Sequence, residues 1–225
     1  MARLSFAAAG ACAALVSLSP PARGQVNGDV GLSAGAMKRF TTGSEASDPG
    51  FGPLIQLQGH LAVLPMLRVG AYASADVSPM PSYGGRQFYE GGLHLKLTPP
   101  IFSAPWKGYL FAGFGVAYAH QDGYLAPGAQ LPGGTSTPNV QYGSTDGALF
   151  EIPVGVGVAY RLRAPWEVFA ELGGRFGVGF VGRMYDPNNT ATAFQASASP
   201  STISGNFTGQ DSFALTLTVG VSLSD

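Results

Sequence analysis

The sequence predicts an all-β fold of eight antiparallel strands, joined up-and-down and closed into a barrel. Three observations predict it. Residues 212–224 alternate without error, with Phe213, Leu215, Leu217, Val219, Val221 and Leu223 apolar and small or polar residues between them, which is a strand with one apolar face. The pattern recurs about eight times in a chain whose residues are only 11% charged, against about 25% in soluble domains. The connections alternate between long polar stretches and short ones. Together these put the apolar face on the outside of the barrel and make the strands membrane-spanning.

The first strand, about 28–41, sets Val30, Leu32, Ala34, Ala36 and Phe40 against Asp29, Ser33 and Arg39. The second, about 53–64, sets Ile55, Leu57, Leu61 and Val63 against Gln56, Gln58 and His60. The third, about 67–78, places Arg68, Tyr72, Ser74 and Asp76 on one parity, and the fourth, about 86–98, does the same with Glu90, His94 and Lys96. The fifth, about 107–120, turns Leu110, Phe114, Val116 and Tyr118 outward. The sixth, about 147–162, turns Phe150, Ile152, Val156 and Val158 outward and Glu151 and Arg161 inward. The seventh, about 166–181, turns Trp166, Val168, Leu172, Phe176 and Phe180 outward and Glu167, Glu171 and Arg175 inward. Residues 212–224 are the eighth. Pro153 lacks a ladder donor, so a bulge is expected beside it.

Residues 1–24 read as a secretory signal peptide: Arg3, an apolar run from Leu4 to Leu18, and the small residues Ala22 and Gly24 before a cut. The barrel domain is then 25–225. Cleavage removes Cys12, the only cysteine, so no disulfide or thiolate chemistry remains. It also takes Arg3 and Arg23, leaving ten basic against thirteen acidic residues, about −3, which excludes a basic nucleic-acid footprint. After the leader no apolar run of 18 residues exists, so a closed barrel is the way for this chain to meet lipid.

Long connections at 42–52, 79–85, 121–146 and 182–210 alternate with shorter ones at 65–66, 99–106 and 163–165. In an outer-membrane barrel the long loops face outside and the short turns the periplasm. Trp106 and Trp166 each follow an Ala-Pro pair at a short turn, and indoles settle at headgroup level. Tyr118, Phe150, Phe180 and Phe213 are expected to form the second aromatic belt at the other rim, with Phe40 and Tyr89.

A leader, eight alternating strands, long loops on one rim and the segment Glu151-Ile152-Pro153-Val154-Gly155-Val156-Gly157-Val158-Ala159-Tyr160 resemble the small outer-membrane β-barrel family that includes the OmpA transmembrane domain, OmpX and OmpW types. The resemblance spans the mature chain. It implies a location in the outer membrane, contact with lipid and lipopolysaccharide, and insertion by the barrel-assembly machinery. The chain departs from the family pattern in ending Val221-Ser222-Leu223-Ser224-Asp225 instead of on an aromatic residue.

A barrel of eight strands is filled by its own side chains, so the inward charges are expected to pair across the lumen. The expected network is Asp76, Glu90, Glu151, Glu171 and Arg175, with Arg175 bridging Glu151 and Glu171 and Glu90 joining from the facing wall. His60 and His94 face inward and His120 lies at the outer rim. No serine–histidine–acid spacing of a lipid-modifying barrel enzyme is present, so the chain is read as a non-enzyme without cofactor or metal. The primary expectation is a monomeric structural or surface-interaction barrel, with loops 121–146 and 182–210, neither carrying an ordered motif, as the external contacts. Two alternatives stay open: a narrow channel or OmpW-like passage for small apolar ligands past Tyr109, Phe111 and Phe169, and a soluble calycin-like binding barrel.

Overall fold

A computed structural model describes residues 27–41, 51–80, 84–101, 104–122, 124–126, 140–142, 144–182 and 212–224. The leader read over 1–24 lies outside the described residues. Among the described residues ten strands follow in order: β1 Gly28–Thr41, β2 Gly52–Leu64, β3 Leu67–Met80, β4 Gly84–Leu97, β5 Trp106–Gln121, β6 Tyr124–Ala126, β7 Val140–Tyr142, β8 Thr145–Arg163, β9 Trp166–Gly182 and β10 Ser212–Ser224. Eight of them close an antiparallel barrel in the order β1-β10-β9-β8-β5-β4-β3-β2, each wall strand beside the next one along the chain. β6 and β7 form a separate two-stranded ribbon, Tyr124 opposite Tyr142, inside the 121–146 connection, where the sequence shows no ordered motif.

Register fixes the barrel's width. Passing from Lys38 through Leu215, Gly174, Val154, Ala112, Leu95, Val69 and Leu61 returns to β1 at Gly28, ten residues from the start. With a rise of ~3.3 Å per residue and strands ~4.7 Å apart, that stagger tilts the strands by roughly 40° and gives a backbone radius of roughly 8 Å. Side chains alone fill such a space.

The predicted parity appears on both faces. Leu32, Ile55, Leu93, Phe114, Val156, Leu172 and Leu217 are exposed on the outer wall, while Arg39, Asp76, Glu90, Glu151 and Arg175 are buried inside. The soluble calycin-like arrangement needs the reverse. Each short turn is tied to a neighbouring strand by backbone bonds: Arg161 N–H to Pro105 O at 3.0 Å, Ser224 N–H to Pro165 O at 2.8 Å and Thr98 N–H to Met66 O at 2.8 Å.

The bulge expected at Pro153 is elsewhere. Pairing of β8 with β5 lapses between Ala112↔Val154 and Gly115↔Glu151 and resumes in the same register, so the missing donor costs a gap and no slip. The register instead shifts between Ala148↔Val181 and Phe150↔Val178, where β9 carries one residue more than β8. Gly179, at φ 67°, takes up that extra residue in a conformation that a side chain would strain.

Glycines on the inner wall seat aromatic rings flat against it. A Cβ on Gly157 would stand 2.3 Å from Tyr109 Cζ, and one on Gly155 2.4 Å from Phe111 Cζ. Gly157→Val is therefore expected to cost about 1–3 kcal/mol of stability through overpacking, read from urea unfolding followed by tryptophan fluorescence. Val158→Leu, one residue on and facing outward, is expected to stay within about 0.5 kcal/mol of wild type.

Candidate functional site

The lumen is where the chain concentrates its chemistry, in layers that follow the inward positions of each strand. Near the short turns, Asp29 of β1 pairs with Arg68 of β3, and Glu167 of β9 takes both Lys107 and Arg161, the latter with Nε at 3.0 Å and Nη2 at 2.9 Å. Asp29 Oδ1 also lies 2.8 Å from His60 Nδ1, and His60 Nε2 lies 2.8 Å from His94 Nδ1. With the carboxylate accepting, His60 Nδ1–H donates to it and His94 Nδ1–H donates to His60 Nε2. Both rings are buried.

The next layer centres on Glu171. Tyr109 O–H donates to its Oε1 at 2.8 Å and Gln58 Nε2–H at 3.1 Å, and Lys96 Nζ is 3.9 Å away. The same ammonium stands 4.4 Å from the centre of the Tyr109 ring, a cation–π contact in a desolvated place. Tyr109, Ala159 and Phe169 pack together with Phe111 against them, so these aromatics fill the lumen.

Two arginines bind the third layer. Arg175 donates from Nη1 to Glu151 Oε1 at 3.1 Å and to Ser74 Oγ at 2.9 Å, from Nη2 to Gln56 Oε1 at 2.7 Å, and pairs closely with Glu90. Arg39 reaches Glu90 Oε1 at 2.6 Å, Asp76 Oδ2 at 3.2 Å and Glu151 Oε2 at 3.9 Å. Its guanidinium lies 3.8 Å from the Phe88 ring centre. Phe88 begins an apolar layer with Ala117, Ala119 and Leu149, beside a second group of Met37, Leu54 and Ala214. Beyond these Arg86 Nε–H donates to Gln121 Oε1 at 3.0 Å.

Glu171 does not meet Arg175. The two are four residues apart on one strand, about 13 Å at ~3.3 Å per residue, and each finds partners on other strands. Arg39 completes the cluster in its stead; the sequence placed it on the inward parity, but nothing there shows which acids the stagger brings to it. Asp76, Glu90, Glu151, Glu171 and Arg175 are all buried in the lumen. A cavity of about 10 Å³ bordered by Tyr72, His94, Phe111, Glu171, Arg175 and Thr218 has room for about one water.

Trp106 and Trp166 are half exposed on the outer wall at the short-turn end. Tyr118 and Phe150 are exposed there near the opposite end, and Phe213 stacks between Phe40 and Phe176, with ring centres 6.1 and 5.0 Å apart. The Phe180 side chain lies outside the described ones. His120 is at the outer rim beside Asp146, Nδ1 to Oδ1 2.5 Å, and Asp122, Nε2 to Oδ1 3.3 Å. Of the two loops expected to face outside, 182–210 lies outside the described residues apart from Gly182, and 121–146 is described only at its ends and in β6 and β7.

No protein-family model matches the chain, and no curated protein matches it. Among solved structures it is similar to Neisserial surface protein A (NspA), at 16% identity over 88% of this chain and 97% of that one, with a TM-score of 0.51. A major outer membrane protein from Thermus thermophilus is similar at 14% identity, 88% and 99% coverage and a TM-score of 0.48. The outer membrane protease OmpT from Escherichia coli follows at 13%, 88% and 97%, with a TM-score of 0.39. The chain has the fold of the small eight-stranded outer-membrane β-barrels.

Removing Arg175 leaves Glu90 and Glu151 buried with one guanidinium between them and Asp76. Arg175→Met is expected to destabilise the barrel by about 3–5 kcal/mol, measured by urea unfolding in detergent micelles. Arg39→Met and Arg175→Met share Glu90 and Glu151, so their effects are expected to depart from additivity by more than about 0.5 kcal/mol in a double-mutant cycle.

Proposed function

We propose that this chain is an exported, monomeric integral barrel of the outer membrane, synthesised with a leader over 1–24, with a structural or surface-interaction role. The observation that carries this reading is the inversion of polarity across the wall: large apolar side chains line the outside and buried ion pairs the inside. Such an exterior, far larger than the apolar patches of water-soluble monomers, suits hydrocarbon. Trp106 and Trp166 on one side and Tyr118, Phe150 and Phe213 on the other then mark the two headgroup levels. The partners this assigns are membrane lipid and lipopolysaccharide around the wall and the barrel-assembly machinery during insertion.

The filled lumen supports a plug over a channel or a ligand passage, because Tyr109, Phe111 and Phe169 pack on one another and on the wall. Activity directed outward then falls to the loops at 121–146 and 182–210, because binding tasks reside on loops carried by a rigid wall. No catalytic role, cofactor or metal is assigned to the lumen histidines, which bond to Asp29 and to each other.

The protein is expected to stay in the membrane pellet after carbonate extraction and to migrate faster unheated than boiled in gel electrophoresis. In planar bilayers it is expected to give no steady ionic conductance. Carbonate release would overturn the location, and stepwise conductance would overturn the plug.

A further inference from the structure

Toward the long-loop end the outward row of β5 passes from apolar to polar. Phe114, Val116 and Tyr118 are exposed on it, and His120, next on the same parity, is partly exposed. From Trp106 to His120 is fourteen residues along β5. At ~3.3 Å per residue and a tilt of ~40° that is about 35 Å, against an apolar band of about 25 Å in an outer-membrane barrel. His120 therefore stands beyond the hydrocarbon, in the aqueous layer at the root of the β6–β7 ribbon.

Both ring nitrogens of His120 face a carboxylate oxygen, Nδ1 that of Asp146 and Nε2 that of Asp122. A carboxylate oxygen only accepts, so both contacts are hydrogen bonds only when both nitrogens carry a proton, as in the imidazolium. Tyr118 O–H donates to the same Asp146 oxygen at 2.6 Å. His120 and Asp146 are register partners on β5 and β8, and Asp122 is the residue after the end of β5. The cation thus joins the two wall strands that carry the ribbon to the first residue of its stem. From β4, Gln87 stands opposite His120, with its amide oxygen taken by Tyr89 O–H at 2.9 Å. Arg86 and Gln121 bond to each other on the lumen side of the wall. Among the described residues, the charged groups facing the imidazole are therefore the two carboxylates. The bond to Asp146 above all, with that to Asp122, holds the imidazolium above the ordinary histidine range. The bonds from Tyr118 and His120 hold Asp146 below the ordinary carboxylate range.

We propose that His120 is a pH-operated tie at the root of the β6–β7 ribbon: protonated, it holds Asp146 and Asp122 together, and on losing its proton it keeps Asp146 and releases Asp122. A neutral imidazole has a single N–H. It stays on Asp146, the shorter contact, and leaves the Nε2 lone pair against the Asp122 carboxylate, two acceptors that repel. The Asp122 side chain is 73% exposed, so it turns into water at little cost. Because the tied form binds the proton more firmly, the tie is complete below the ordinary histidine midpoint of about 6.5. It is lost as the pH rises through the raised midpoint. Exposed ion pairs of this kind move a local equilibrium and leave the stability of the barrel alone. The tie regulates the 121–146 connection and rests, for its biological meaning, on the reading that this connection faces outside.

The test is a nuclear magnetic resonance titration of the protein, labelled with nitrogen-15 and folded in detergent micelles, from about pH 5 to 9. The His120 ring signals, identified by their loss in His120→Gln, are expected to titrate with a midpoint above about pH 7. The backbone amide signals of Asp122 and Tyr124 are expected to move with the same midpoint, with Asp122 more mobile on the alkaline side. Asp146→Asn is expected to lower the midpoint by about one pH unit. His120→Gln, checked for folding by heat-modifiable mobility, is expected to abolish the step at Asp122 and Tyr124. A wild-type midpoint at or below about 6.5, amides that ignore the titration, or a step that survives in His120→Gln would each overturn the tie. An epitope inserted between Pro132 and Gly133 is expected to be reached by antibody on intact cells. Failure there would overturn the outward reading of the connection, while the titration decides the tie separately.

Discussion

The width of the lumen governs the rest of the molecule. Eight strands offset by ten residues leave a backbone radius of roughly 8 Å, and every second residue of every strand must fit within it. Inward ionic groups in so narrow a space cannot each keep a water shell. They meet partners across the barrel or they are not accommodated, because a desolvated charge without compensation costs several kcal/mol. Arg39 and Arg175 thus gather Asp76, Glu90 and Glu151 from three other strands. Lys96 and Tyr109 converge on Glu171 by the same necessity.

Space inside is shared between these clusters and the aromatic rings by omission of side chains elsewhere. Tyr109 lies over Gly157 and Phe111 over Gly155 and Gly173, so the glycines of β8 and β9 are seats for rings. The Asp29–His60–His94 series and the Glu171 cluster border this aromatic zone, and the cavity between them is about the size of one water. Beyond the arginines the filling changes to Phe88, Met37, Leu54 and Leu149. A polar middle bounded by an apolar layer fills the lumen with side chains of the wall strands themselves.

The outer wall answers to a different solvent. Its residues need only be apolar and need not interlock with one another, so side-chain size on that face is free to vary: exposed Leu110 stands two residues from Gly108 on one strand of the sheet. Closure leaves that sheet without an edge, so the ladder runs from strand to strand around the whole circuit. The indoles and the basic side chains collect at the short-turn end, where β8 and β9 meet through Ala164 and Pro165.

Alternation with a period of two determined, from the sequence alone, where the eight wall strands run and which side chains face inward, since successive residues of a strand must point to opposite faces. Arg39, His60, His94 and Glu151 could all be placed in the lumen on that ground. Parity says nothing of the offset between strands, and the offset decides who meets whom. Only the closed barrel brought Arg175 to Glu90, gave Glu171 to Tyr109 and Lys96, and set His60 against His94. It also moved the irregularity from Pro153 to Gly179 and raised the β6–β7 ribbon from a connection without periodicity. Those outcomes depend on the ten-residue stagger and on packing across the lumen, which join residues far apart in the chain.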